Sequence, residues 1–206
     1  MQNVFSELPE NYEEVFHIDA RNKKTGLIFN LVALIPFAIV LAIVRPTARL
    51  DAAAKALLAL GFGQYMLRMG IYLLAFVGSL IAYLILHELT HGVVYKAMTK
   101  RKLTFGMSWS CAFCGVPDAY VSRKTAIAAL IAPFTLFTLV FLPLTIVFAF
   151  VDPWLYLLFG LLLGLHLGGC SGDLYMTYLL LFRYKNKALL MRDTGPEQWL
   201  YLPQKN

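Results

Sequence analysis

The sequence predicts an all-α membrane protein with about four transmembrane helices and a short cytoplasmic-side β-hairpin between the second and third helices. Two observations carry this prediction. The 206 residues are 59% hydrophobic and only 15% charged, with a mean hydropathy of +0.65, whereas soluble domains carry about a quarter charged residues. The apolar residues also fall in four long blocks that match the roughly 17–25 residues a helix needs to cross a bilayer.

The four blocks divide the chain into segments without leaving room for a separate soluble domain. We expect a single polytopic membrane domain over residues 1–206, with a polar N-terminal segment (1–26), a transmembrane bundle (27–182) and a basic tail (183–206). The predicted spans cover approximately residues 27–44, 70–95, 125–150 and 154–182. Only Val151, Asp152 and Pro153 separate the last two spans, which predicts a tight helical hairpin.

The basic residues are distributed unevenly around the blocks. With the N-terminus inside, the inner segments hold 14 of the 18 Lys and Arg residues, and the outer segments hold Arg45, Arg49, Lys55 and Arg68. The positive-inside rule therefore predicts that both termini lie in the cytoplasm. Because the basic residues flank apolar blocks, the net charge of +6 indicates contact with the headgroups of a lipid bilayer and no nucleic-acid partner.

Two loops carry predictions of their own. In the outer loop, residues 51–60 are rich in Ala and Leu, which predicts a helix that lies along the membrane surface or dips into it. In the inner loop after the second span, residues 104–110 alternate between apolar and small side chains, and residues 115–118 read Gly-Val-Pro-Asp, a turn signal. With residues 119–122 as the return strand, this pattern predicts the β-hairpin.

The second block contains the strongest chemical signal, His87-Glu88-Leu89-Thr90-His91, preceded by an apolar run. Residues four apart share a helix face, so both imidazoles can reach one zinc ion, and Glu88 beside them can take a proton from a water that zinc activates. An ionisable group inside a span costs at least ~2.5 kcal/mol by insertion scales. Three such groups in five residues therefore indicate a function.

A third ligand is needed, and the fourth block offers Asp173 and His166. His87 lies 17 residues from the outer end of its predicted span, and Asp173 lies 19 residues from the outer end of the fourth. Both therefore sit roughly 25–30 Å below the outer surface, whereas His166 lies roughly 10 Å higher than Asp173. We expect Asp173 to complete a site for one Zn²⁺ per chain, with His166 as the competitor or as a hydrogen-bonded histidine of the bundle.

Small residues repeat along the fourth block. Gly160, Gly164, Gly168 and Gly172 follow each other at intervals of four, a spacing that lets two helix backbones approach closely. We expect this face to pack against the second span and to bring Asp173 to the two histidines. An unrelated helix contact or a dimer face is the alternative.

Four segments together resemble a known class of enzyme. They are the motif ending at His91, the hairpin-like loop after it, Ser171-Gly172-Asp173-Leu174, and the opening Leu8-Pro9-Glu10-Asn11-Tyr12. In these features, which cover most of the chain, the sequence resembles intramembrane zinc metalloproteases of the site-2 protease type, and more closely a small bacterial family of membrane zincin peptidases. Site-2 proteases carry the third ligand in a Leu-Asp-Gly motif preceded by Asn-Pro, whereas this chain has Gly-Asp-Leu and no Asn-Pro. The resemblance implies a bacterial plasma-membrane protein with Asp173 as a zinc ligand.

The motif predicts a hydrolase of peptide bonds in a membrane protein or a membrane-associated peptide. Glu88 would act as the general base, and His166 would steady the developing oxyanion. The substrate helix must unwind before cleavage, and the hairpin could hold the unwound segment as an added strand. Two alternatives stay open: a non-catalytic scaffold or binding protein whose bundle the metal stabilises, and a membrane hydrolase acting on a lipidated substrate.

Overall fold

The computed structural model describes residues 4–45, 47–109 and 111–204. Within these residues, four helical segments are long and apolar enough to cross a membrane, as predicted. They are α1 (Lys23–Val44), α3 (Phe62–Thr99), α4 (Arg123–Val151) and a broken fourth segment made of α5 (Pro153–Gly169), α6 (Ser171–Tyr178) and one π-helical turn (Leu179–Arg183). A short helix, α2 (Ala48–Leu58), links α1 to α3 and confirms that the outer loop is helical.

Polar caps fix where the spans begin. Asn22 accepts hydrogen bonds from the backbone N–H groups at the start of α1, which satisfies donors that a helix leaves unpaired. Asp152 does the same for the N–H groups of Trp154 and Leu155, and Pro153 occupies the first turn of α5, where no N–H is needed. Asp152 therefore ends α4 and begins α5 without a loop, and the predicted tight hairpin is confirmed.

The outer surface of the helices is apolar. Ile35, Ile43, Leu74 and Leu139 are 60–75% exposed, whereas the three histidines within the spans are at most 7% exposed. This distribution is the reverse of that in a soluble protein, where large aliphatic side chains fill the interior. The helices therefore have the composition and the outward face of a multi-pass membrane protein.

In the described part of the chain, a six-stranded antiparallel sheet covers one end of the bundle. Its strands are β1 (Val4–Phe5), β2 (Tyr12–Asp19), β3 (Thr104–Met107), β4 (Ala112–Ser122), β5 (Leu190–Asp193) and β6 (Glu197–Pro203). They run in the order β1-β4-β5-β6-β2, and β3 pairs with the first part of β4. The description all-α is therefore imprecise, because the N-terminal segment and the basic tail form strands that pair with each other across the whole chain.

The predicted hairpin is present, but its turn lies earlier than expected. The chain reverses between β3 and β4, where the Ser108 N–H donates to the Cys111 carbonyl oxygen at 2.8 Å. Residues 115–118, the predicted turn, lie inside β4, where the pairing register with β5 shifts between Val116 and Tyr120. Pro117 offers no N–H to the ladder, so it produces a bulge there and no reversal. Ser110, the last residue of the predicted first strand, lies outside the described residues.

The first three glycines of the repeat pack α5 against α1, and the predicted contact with the second span is wrong. A Cβ at Gly160 would meet the Val44 side chain, and one at Gly168 would meet the backbone of Ala33. Helix α3 packs against α4 instead. The spacing of small residues predicts a close approach but carries no information about which neighbouring helix makes it.

We expect Gly168→Ala to lower the free energy of unfolding by roughly 1–3 kcal/mol, because the added methyl group overlaps a backbone and forces α1 and α5 apart. Thermal unfolding in detergent would measure this loss. Gly78→Ala on α3 is the matched control, since a Cβ there meets nothing within 4 Å. Equal melting temperatures for Gly168→Ala and wild type would show that the two helices do not need this close contact.

Candidate metal centre

One face of α3 carries four polar side chains at intervals of four residues. Tyr83, His87, His91 and Tyr95 are all buried on this face, as the helical period of 3.6 dictates. Tyr83 belongs to an apolar cluster at the centre of the bundle, and Tyr95 belongs to the cluster beneath the sheet. The two histidines therefore lie between two packed cores, where their positions are held from both ends.

His87 and His91 converge on one carboxylate oxygen. The Nε2 atoms of both histidines lie 3.4 Å from Oδ2 of Asp173. Zinc binds imidazole nitrogen and carboxylate oxygen at about 2.0–2.2 Å, so tetrahedral ligand atoms stand about 3.3–3.5 Å apart. The two separations match this value, and one nitrogen of each histidine and one oxygen of Asp173 all lie within 4.8 Å of one another. Two neutral imidazoles and one carboxylate also form a donor set that suits zinc.

A break in the fourth span places Asp173 at this point. The helix stops at Gly169, and Cys170 leaves helical geometry with its N–H donating to the carbonyl oxygens of both Gly168 and His166. A new helix, α6, begins at the next residue, and Asp173 lies in its first turn. The expectation that Asp173 and His87 share one level agrees with this geometry, although the fourth span is interrupted at Cys170, three residues before Asp173.

The second ring nitrogen of His91, Nδ1, is held by the backbone of α4. Its Nδ1 lies 2.9 Å from the carbonyl oxygen of Ala129, which can only accept a hydrogen bond, so Nδ1 carries the proton and Nε2 keeps its lone pair. In a regular helix this carbonyl would accept from the N–H of the residue four positions later. That residue is Pro133, which has no N–H. The proline therefore frees the acceptor that orients His91.

Glu88 lies beside the three converging side chains in the wall of a cavity of about 310 Å³. Its carboxylate hydrogen-bonds none of the residues that the structure describes, so it is available to a water molecule. The cavity extends from His87 and Asp173 towards α1, where Phe29 and Asn30 line it, and towards the sheet. Its sheet side is formed by the start of β4 and by the turn between β5 and β6.

A second group of possible ligands lies deeper in the bundle. His87, His166 and Cys170 also approach one another closely enough to hold an ion. The hydroxyl of Tyr83 stands among them, 3.1 Å from Nδ1 of His87 and 3.0 Å from Nδ1 of His166. Because this hydroxyl already hydrogen-bonds both imidazoles, the deeper group is a hydrogen-bonded cluster. The group that contains Asp173 is the better metal site.

A buried acidic residue outside the spans also lines the cavity, and the sequence reasoning missed it. Asp193, at the end of β5, accepts hydrogen bonds from the Tyr95 hydroxyl at 2.6 Å, from the Gly195 N–H and from Gln198. Burial raises the pKa of Asp193 to about 6. These bonds attach the turn between β5 and β6 to α3. The sequence feature that could have indicated this buried acid is its partner Tyr95, which lies one helical turn after His91.

The structure thus brings together His87, Glu88, His91 and Asp173, four of the five residues singled out in the sequence. His166 is fully buried behind Tyr83. Within the described residues it does not belong to the cavity wall. Tyr83 itself lies in the run that the sequence reasoning took as purely apolar, and its hydroxyl is a central hydrogen-bonding group of the site.

One of the comparisons with known proteins identifies a family. A family model described as "Putative zincin peptidase" matches residues 80–189, more than half of the chain. The matched segment begins just before Tyr83 and includes His87, Glu88, His91 and Asp173. No curated protein and no solved structure matches the chain significantly. The chain belongs to the family that this model describes as "Putative zincin peptidase".

Proposed function

We propose that this protein is a zinc-dependent endopeptidase that cleaves membrane-associated substrates at or just inside the cytoplasmic face of the membrane. One Zn²⁺ per chain would be held by His87, His91 and Asp173, with Glu88 as the general base. The observation that carries the proposal is the convergence of two imidazole nitrogens on one carboxylate oxygen at 3.4 Å, in the wall that also holds Glu88.

The chemistry divides between the metal and the chain. When bound, zinc would activate the attacking water and polarise the scissile carbonyl. Glu88 would accept one proton from that water as the water oxygen bonds to the carbonyl carbon. As the carbon–nitrogen bond breaks, Glu88 would deliver the same proton to the leaving amine, so each turnover returns the carboxylate. The backbone of α4 keeps His91 oriented throughout, through its bond to Ala129.

The placement of the cavity supports a substrate at the cytoplasmic face. His91 lies eight residues before the end of α3 at Thr99, which corresponds to roughly 12 Å along the helix. All connections between the spans and the sheet lie at this same end of the bundle. The excess of Lys and Arg in those connections supports a cytoplasmic location for the sheet and for both termini. The site would then receive water from the cytoplasm and peptide from the membrane.

Strand β3 offers a way to hold an unwound substrate. Among the described strands it pairs with β4 alone, so its other edge can accept an extended segment by β-augmentation. The Phe105 ring of β3 lies against α3 at Gly92, where a Cβ would overlap the ring. This contact supports a position of the edge near His91, the residue before Gly92. We propose that the substrate segment adds to β3 and enters the cavity from there.

The test is cleavage of a single-span model substrate by the purified protein in liposomes, with zinc measured in the same sample. We expect about one zinc per chain and fragments that end near the inner membrane boundary. We also expect complete loss of cleavage with a zinc chelator and recovery when zinc is restored. A preparation that holds zinc but cleaves neither this substrate nor casein would favour a metal-stabilised scaffold.

A further inference from the structure

We infer that Tyr83 and His166 are positioning residues that hold His87 in the tautomer able to bind the metal. The inference deepens the proposed function and rests on it, because it assigns a role to the residues behind the same site. Tyr83 joins the two histidines through its hydroxyl, which lies 3.1 Å from Nδ1 of His87 and 3.0 Å from Nδ1 of His166. His166 in turn contacts α4, where its Nε2 lies 3.3 Å from the Phe134 carbonyl oxygen.

The donor and acceptor roles in this series of hydrogen bonds are set at His166, the member farthest from the metal site. A backbone carbonyl oxygen can only accept a hydrogen bond, so Nε2 of His166 must carry a proton to bond to Phe134. The Thr138 hydroxyl, at 3.1 Å from the same nitrogen, can donate or accept, so the direction rests on the Phe134 carbonyl oxygen. His166 is fully buried among aromatic rings and hydrogen-bonds no carboxylate in the part of the chain described. An unpaired charge is costly in such surroundings, so the ring is neutral and Nδ1 is an acceptor.

The remaining two bonds follow from counting protons. Tyr83 has a single hydroxyl proton, and Nδ1 of His166 needs a donor, so the hydroxyl donates to His166. The hydroxyl oxygen can then serve His87 only as an acceptor, which requires a proton on Nδ1 of His87. In the form that binds a metal, the imidazole of His87 therefore has its lone pair on Nε2. That nitrogen is the one that lies 3.4 Å from Asp173.

The opposite direction would prevent metal binding. If Tyr83 donated to Nδ1 of His87, the proton of that ring would move to Nε2 and point into the site. Cys170 could permit this arrangement, because its Sγ lies 3.6 Å from Nδ1 of His166 and could donate in place of Tyr83. A thiol is the weaker donor, so the hydroxyl holds the bond. Through two hydrogen bonds, His166 thus determines which ring nitrogen of His87 carries the proton.

The two metal-binding histidines are therefore oriented from the same helix by different routes. His91 bonds to the Ala129 carbonyl directly, whereas His87 reaches α4 through Tyr83 and His166. A change at Tyr83 should affect only the longer route. Partners of this kind typically contribute 10–100-fold to metal affinity when they orient a ligand.

The first experiment is a zinc titration of the purified full-length protein, using a competing chelator. Tyr83→Phe removes the hydroxyl and keeps the ring, which packs against Phe137 and Phe141, and we expect zinc affinity to fall about 10–100-fold. Tyr95→Phe removes an equally buried tyrosine hydroxyl that bonds to Asp193, and it should stay within about threefold of wild type. Equal affinities for Tyr83→Phe and wild type would overturn the inference.

Two substitutions at His166 separate positioning from packing. His166→Phe removes the acceptor and should reproduce the loss caused by Tyr83→Phe. His166→Asn places an amide oxygen near the position of Nδ1, so it can accept from Tyr83 and should recover most of the affinity. If His166→Asn is as weak as His166→Phe while both proteins remain folded, His166 contributes packing alone and the inference is wrong.

A direct readout in the metal-free protein does not depend on cleavage. Nitrogen NMR of selectively labelled histidine distinguishes a protonated from an unprotonated imidazole nitrogen. We expect Nδ1 of His87 to be protonated in wild type and both tautomers to be populated in Tyr83→Phe. A mixture already in wild type would refute the positioning role. A protein that shows the expected tautomer and binds zinc but cleaves nothing would refute the proposed function and leave this inference standing.

Discussion

Replacing Glu88 by Gln should reduce peptide hydrolysis by about 10³-fold, within the range that a general base contributes, while zinc stays at about one per chain. Gln has the same shape but cannot accept the proton that the attacking water must lose. Glu88 hydrogen-bonds none of the described residues, so its replacement should leave the fold intact. Because the two histidines and Asp173 are unchanged, zinc affinity should change little.

Rates on the model transmembrane substrate and zinc content would be measured on the same preparation. Glu197→Gln is the matched control, because Glu197 pairs with Arg21 and His17 on the sheet and does not line the cavity. It should cleave like wild type. If Glu88→Gln cleaves within about threefold of wild type, well short of a general base's contribution, then Glu88 is not the base and the proposed chemistry fails.

The spans could be predicted from the sequence because lipid imposes a simple rule on each segment by itself. A helix that crosses the bilayer must be long and apolar regardless of its neighbours, and the four blocks satisfy this condition locally. The sheet follows no such rule. Strand β2 pairs with β6, where His17 lies opposite Trp199. The sequence of neither strand indicates which other strand it pairs with. Pairings so distant in sequence depend on the whole fold.

The site shows the same division between local and distant information. Two histidines and Glu88 lie within five residues, so the helical period alone brings them to one site. Asp173 could be selected because its depth in the membrane, counted along the fourth span, matches the depth of His87 counted along the second span. Tyr83 could not be recognised, since a tyrosine in an apolar run commonly serves packing and its role depends on His166, 83 residues later. The role of Pro133 could not be predicted either, because it depends on His91 lying next to the Ala129 carbonyl, which Pro133 leaves without a helical partner.

Replacing Asp173 by Ala should lower zinc content from about one per chain to about 0.1 or less after the same purification, because a site with two protein ligands is weaker than the usual three. Asp173 also supplies the negative charge among the three donor groups, so its loss removes the strongest electrostatic attraction for the ion. Cleavage should disappear together with the metal. Metal analysis and the cleavage assay on one sample would measure both effects.

Asp193→Asn is the matched control for Asp173→Ala, since Asp193 is a second buried carboxylate in the same cavity wall. Its amide can still accept a hydrogen bond from Tyr95, and zinc content should stay at about one per chain. The pair of carboxyl substitutions separates a ligand from a structural acid. Asp173→Ala protein that retains full zinc would show that the third ligand lies elsewhere. Loss of zinc in Asp173→Ala, with zinc retained in Glu88→Gln, would assign one carboxylate to holding the metal and the other to moving the proton.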